Sequence, residues 1–157
     1  MKPETTPLIL FVCTGNQIRS PLSAAIFQQL LTESGLLDSC RIESAGTWGH
    51  PGLSDPFAKE TARQMGLDIE NHSSSLVNKE MLVEARLVIV MEQGQKEALE
   101  VEYPQVRGKV RLISRLAGEP AYDIPDPLGQ DLAVYLQTGE ELQRLIRSAF
   151  VTICHFL

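Results

Sequence analysis

Residues 8–23 read LILFVCTGNQIRSPLS: an unbroken apolar run that ends in a cysteine, a glycine-containing loop, an arginine and Ser-Pro. The apolar run, residues 7–12, predicts a strand buried on both faces. Ser20-Pro21 predicts a helix start, with Ser20 as the cap and Pro21 in the first turn. A loop that joins a strand directly to a helix can point successive backbone N–H groups inward, which makes a nest for an anion. The helix N-terminus adds its own N–H groups and the positive end of its dipole. Gly15 is expected to supply a backbone angle that a side chain would resist. Arg19 offers a planar fork for two oxygens of a phosphoryl group. The same positive field favours the thiolate of Cys13, the attacking form of the residue. Ser20 is placed to donate to that sulfur. The bland alternative is a packing cysteine at a strand end. A bare Cys-x5-Arg-Ser arises by chance in about a couple of per cent of chains this long. Its place between a buried strand and a helix start is what gives it chemical meaning.

The pattern continues along the chain. The first helix runs through Ala24, Phe27, Leu30 and Leu31 and stops near Gly35. Residues 40–46 predict a second strand, followed by the loop TWGHPGLS at 47–54. Ser54-Asp55-Pro56 opens a second helix that ends at Gly66. Asn78 caps a short helix reaching Ala85, and residues 87–91 and 110–113 predict two further buried strands around a helix at 93–102. The segment AGEPAYDIPDPLGQ, 117–130, is a loop rich in Pro, Gly and Asp. A last amphipathic helix begins near Asp131 and reaches Cys154. Apolar strands alternating with helices predict an α/β fold: a parallel sheet with helices on both faces. Such sheets bind ligands at the carboxyl ends of their strands, where Cys13 sits.

The bulk properties narrow the classes. The chain has 157 residues, 43% hydrophobic and 22% charged, which suits one domain over residues 1–157 with a sizeable core. Its net charge of −6 argues against general nucleic-acid binding, so a phosphate site must be local. No apolar stretch of about 18 residues or more predicts a membrane span, and the first residues lack the apolar centre of a secretory signal. The three cysteines, Cys13, Cys40 and Cys154, show no metal spacing. That sparse, odd count fits a reducing compartment, and the expected location is the cytoplasm.

Cleaving a phosphomonoester needs a proton for the leaving oxygen and later a base for the attacking water. Asp126, in Asp123-Ile-Pro-Asp-Pro127, is the candidate for both steps. Asp before Pro is also common in plain turns. Asp123 and Asp55 are rivals, Asp55 being better explained as a helix cap.

With these residues in place, the chain resembles the low-molecular-weight protein tyrosine phosphatases. The resemblance rests on Cys13-Thr-Gly-Asn-Gln-Ile-Arg19-Ser-Pro21, Ser44-Ala-Gly46, Asp55-Pro56, His72, Val90-Met91 and Asp126-Pro127, in the family's order from about residue 8 to about residue 150. It implies a phosphotyrosine protein phosphatase I-like fold with a four-stranded parallel sheet of order 2-1-3-4. It implies a phosphocysteine on Cys13, phosphate held by Arg19, by the loop residues Thr14, Gly15, Asn16, Gln17 and Ile18, and by Ser20, and Asp126 as acid and then base. No cofactor and no metal are expected. The partners implied are a phosphorylated protein and, in the site, inorganic phosphate or a similar oxyanion. Asn16, Ser20, Ser44 and His72 match positions that brace the loop in the family.

Three positions depart from the family pattern. Ile18 stands where most relatives carry a second cysteine, which removes that route to a protective disulfide. Gln17 stands where the tyrosine phosphatases usually have an apolar residue and the arginine phosphatases a small hydroxylated one. Leu128 follows Asp126-Pro127 where many relatives place an aromatic. Leu128 and Trp48, the only tryptophan, are the expected pocket walls. Phosphotyrosine in proteins is the expected substrate, with phosphoarginine the alternative. Arsenate reduction is disfavoured because no cysteine lies between Cys40 and Cys154. A silent phospho-binding module would not require Cys13, Arg19 and Asp126 together.

Overall fold

In the computed structural model, which describes residues 6–157, four parallel strands form one sheet. They are β1 (Leu8–Cys13), β2 (Arg41–Gly46), β3 (Ala85–Val90) and β4 (Val110–Leu112), in the order β2-β1-β3-β4. This is the expected order. Among the described residues six α-helices accompany them: α1 (Arg19–Glu33), α2 (Pro56–Gln64), α3 (Lys79–Glu84), α4 (Gln93–Glu102), α5 (Ile113–Leu116) and α6 (Leu132–Cys154).

The apolar run of β1 explains the layering. Every residue of β1 is buried, and successive side chains point to opposite faces. Ile9, Phe11 and Cys13 pack into a core shared with α1, α2, α5 and α6. Leu8, Leu10 and Val12 pack into a second core with Leu82 of α3, Leu99 of α4 and the strands β3 and β4. Both faces of the sheet are thus covered. The central position of β1 places its carboxyl end, with Cys13, at the middle of the sheet edge.

The helix signals hold at most ends. Asp55 Oδ1 accepts from Ala58 N at 3.0 Å and caps α2, Asn78 caps α3, and Asp131 caps α6. Gly66, with φ of 72°, follows α2 in the left-handed region that favours glycine. One expectation fails at the start of α1. The helix begins at Arg19, its N-cap is Ile18, and no side chain caps it. Ser20 lies inside the first turn, and its hydroxyl is committed to Cys13 instead. A second difference is α5: the expected strand 110–113 ends at Leu112, and Ile113 opens a single helical turn. One turn is too short to show a helical period. No helix among the described residues is long and apolar enough to cross a membrane.

Candidate active site

Cys13 ends β1 with its side chain almost fully buried. Its Sγ lies 3.0 Å from Ser20 Oγ and receives the N–H of Asn16 at 3.3 Å. Ser20 Oγ itself accepts from Asn16 Nδ2 at 2.8 Å, so its own proton is available to the sulfur. The turn that makes this possible is at Asn16, not at Gly15. Asn16 has φ of 55°, the left-handed region, whereas Gly15 has no positive φ. Asparagine tolerates that conformation when its side chain is hydrogen-bonded locally, as here.

Asn16 is fully buried and all its polar atoms are used. Its amide donates to Ser20 and, at 3.0 Å, to Ser44 Oγ. Its Oδ1 accepts from Ser75 N at 2.9 Å. Its backbone carbonyl lies 2.7 Å from His72 Nε2, and because a carbonyl can only accept, that ring nitrogen donates. Of the four residues expected to brace the loop, Ser20, Ser44 and His72 are each hydrogen-bonded to the fourth, Asn16. Gly46 lets β2 approach them. A Cβ there would meet Thr14 O at 2.5 Å and Gly15 C at 3.2 Å.

Arg19 is 1% exposed, and its fork is held from behind. Nη1 donates to Glu92 Oε2 at 2.8 Å and to the Ile124 carbonyl at 2.7 Å, and Nη2 lies 3.6 Å from Asp126 Oδ2. Glu92 is locked in turn. Gln95 Nε2 reaches both Glu92 Oε2 at 3.0 Å and Thr14 Oγ1 at 3.1 Å. Gln95 Oε1 accepts the N–H groups of Met91 and Glu92. Neither Glu92 nor Gln95 stood out in the sequence. The available signal was position: they follow the carboxyl end of β3, the strand beside β1.

Cys13, Gly15, Gln17, Ile18, Arg19, Asp126 and Leu128 line one small cleft. Of the three candidate acids, only Asp126 is there. Its Oδ1 accepts from Leu128 N at 3.1 Å, which folds the turn around it. Asp123 is exposed, and its Oδ1 accepts from Gln93 N at 2.8 Å at the start of α4. Asp55 is buried as the cap of α2, and its Oδ2 accepts from Tyr135 OH at 2.8 Å. Of the two expected walls, Leu128 lines the cleft and Trp48 does not. The Trp48 backbone is tied to Thr14 O at 3.1 Å, but its side chain is 77% exposed. Cys40 is buried in the core, and Cys154, half-buried at the end of α6, packs against the same core. Among the described residues, no group of three or more His, Cys, Asp or Glu is arranged to hold a metal ion.

The arrangement is suited to an anion above a nucleophilic sulfur, with a carboxyl group across the cleft. The model of the low molecular weight phosphotyrosine protein phosphatase family matches residues 8–154. A protein-arginine-phosphatase of Bacillus subtilis is 33% identical over 140 residues, covering 88% of this chain and 91% of its own length. The low molecular weight protein-tyrosine-phosphatase Ptp of Acinetobacter johnsonii is 32% identical over 139 residues, covering 88% and 92%. The solved structure of the arginine phosphatase YwlE, a cysteine-to-serine mutant with a phosphorylated active-site serine, superposes with a TM-score of 0.88 at 30% identity, covering 94% of this chain and 95% of that one. Matched by the family model over nearly its whole length, and by relatives at this identity and coverage, the chain belongs to the low molecular weight phosphotyrosine protein phosphatase family.

Proposed function

We propose that this protein hydrolyses phosphorylated side chains of other proteins through a phosphocysteine on Cys13. The observation that carries the reading is that Cys13, Arg19 and Asp126 line one cleft. The Cys13 thiolate attacks phosphorus, an S–P bond forms, and the bond from phosphorus to the leaving atom breaks. Asp126 gives its proton to that atom. In the second step Asp126 takes a proton from water, the water oxygen attacks phosphorus, and the S–P bond breaks to release inorganic phosphate. Ser20 donates its hydroxyl proton to the sulfur and stabilises it when it carries charge. The uncapped first turn of α1 and the loop N–H groups of Thr14, Gly15, Gln17 and Ile18 bind the equatorial oxygens, with the guanidinium of Arg19, while the Asn16 N–H stays on Cys13 Sγ. Because phosphoryl transfer passes through a loose transition state, positioning and charge stabilisation supply most of the rate. The phosphorylated serine in the mutant of a relative supports attack from this strand end.

The substrate proposed is phosphotyrosine, whose ring would lie between Leu128 and the loop. A second reading, phosphoarginine, is favoured by Gln17, a polar residue in the cleft, and by the arginine phosphatases among the relatives. The test is phosphate release from a phosphotyrosine peptide and a phosphoarginine peptide side by side, with Cys13→Ser as control. Turnover of the first, lost in the variant, supports the first reading. Turnover of the second alone transfers the chain to arginine phosphatases. Binding without turnover of either by the wild-type chain refutes the enzyme reading.

A further inference from the structure

We propose that the groove between the Asp126 loop and α6 binds the part of a protein substrate that flanks the phosphorylated residue, and that it selects an apolar and basic segment. The proposal rests on the phosphatase reading above. The groove has a volume of about 490 Å³ and lies between residues 122–127 and α6. On the helix side Val134, Thr138 and Glu141 fall at spacings of four and three, one stripe along the helix. Seven residues at about 1.5 Å each make that stripe roughly 10 Å long. It accommodates about three residues of extended chain at 3.3 Å each.

Two features point to substrate as the occupant. The first is continuity. Asp126 lines both this groove and the cleft that contains Cys13, so the Asp126-Pro127 segment is the partition between them. A chain leaving the cleft over this partition enters the groove. The second is charge and polarity. Ile124, Pro125, Pro127 and Val134 supply apolar wall, and the acids Asp123, Asp126 and Glu141 line it with no lysine or arginine. Glu141 is already shared with Tyr122 and Arg144, and Asp126 holds the proton it donates, so the negative charge left at the catalytic end is that of Asp123. A basic side chain beside the phosphorylated residue meets that charge, and apolar side chains follow over Ile124 and Val134.

The groove is also preformed. Ile124 is pinned by Arg19 at its carbonyl and by Met91 O at its N–H, and Tyr122 by Ser114 and Glu141. A rigid site loses little entropy when it binds.

The experiment compares kcat/KM for phosphopeptides in which the three residues on one side of the phosphorylated residue are Lys-Leu-Leu or Glu-Leu-Leu, each placed on either side. A small aryl phosphate, which does not reach the groove, is measured in parallel. The exposed groove residue Gln137 is changed to Lys and to Glu. The basic peptide is expected to be preferred by about threefold to tenfold on one side. Gln137→Lys narrows that ratio and Gln137→Glu widens it, while the small phosphate is turned over unchanged. A peptide ratio near one, or equal loss for peptides and small phosphate, overturns the groove as a substrate site. So does a concentration-dependent dimer that Gln137→Lys abolishes, which would assign the groove to a second copy of the chain. Failure of the wild-type protein to turn over even the small phosphate overturns the phosphatase reading itself, and the groove proposal with it.

Discussion

Replacing Glu92 with alanine tests how the arginine fork is aimed. Glu92 Oε2 receives Arg19 Nη1 at 2.8 Å, and Arg19 is 1% exposed while Glu92 is 31% exposed. Removing one partner of a fully buried pair costs about 3–5 kcal/mol. Here water reaches the exposed third of Glu92, and the Ile124 carbonyl still accepts from the same nitrogen at 2.7 Å. The cost expected is therefore about 2 kcal/mol, which for a chain of this size lowers Tm by roughly 4–8 °C. Catalysis should fall further than stability implies. Loss of one aimed oxyanion donor typically costs about 10²–10³ in rate. A fork that can pivot on one carbonyl loses part of that, about tenfold to hundredfold in kcat. Glu92→Gln keeps an acceptor oxygen at the same reach and should recover most of the stability and part of the rate. The assay is steady-state hydrolysis of a small aryl phosphate beside a thermal melt. A Glu92→Ala variant that melts lower but keeps kcat within about twofold would refute the aiming role, since the donor loss expected is far larger.

Three further outcomes are expected. Asp126→Asn should lower the rate for phosphates with poor leaving groups by about 10²–10⁴ and for good leaving groups by less; equal losses across a leaving-group series would count against the acid role. Gly46→Ala puts a Cβ 2.5 Å from Thr14 O, a backbone atom that cannot swing aside, so the loop must shift. A cost of about 1–3 kcal/mol and a lower kcat are expected, and a melt and rate equal to wild type would show that the loop yields freely. The three tyrosines should resist titration. Burial raises the phenols of Tyr103, Tyr122 and Tyr135, that of Tyr122 to about 12, with the hydrogen bond to Glu141 as its second cause. A phenol raised in the folded state stabilises the fold fully below its unfolded value near 10, and that contribution is lost as pH rises from there through about 12. Tyrosinate absorbance from Tyr122 and Tyr135 should therefore appear together with alkaline unfolding, and either of these phenols ionising near pH 10 in the folded protein would refute the burial argument.

Much of this protein is set by local rules that act within a few residues. The buried run of β1, the caps at Asp55, Asn78 and Asp131, and the glycine stop at Gly66 all follow from steric and hydrogen-bonding preferences of neighbours in sequence. The nine-residue loop was conspicuous because the cysteine, the arginine and the helix start lie within seven residues of one another. Asp126 was legible as an acid only alongside Asp123 and Asp55. Its place in the cleft follows from the path of a loop about 110 residues away from Cys13.

The loop from Cys13 to Arg19, the alternation of strands and helices and the buried character of the strands were therefore legible in the chain alone. The tertiary structure decided what lies opposite and behind them. It brought Glu92 and the Ile124 carbonyl to Arg19, 73 and 105 residues distant, and tied Gln95 to Thr14 across 81. It moved the left-handed turn from Gly15 to Asn16, because Ser20, Ser44, His72 and Ser75 converge there to hold the asparagine in that conformation. It left Trp48 in solvent and gave Leu128 the cleft. The physical reason is common to all of these. Hydrogen bonds and buried ion pairs depend on distance in space, and the separation of their partners along the chain carries no trace of it until the sheet has closed.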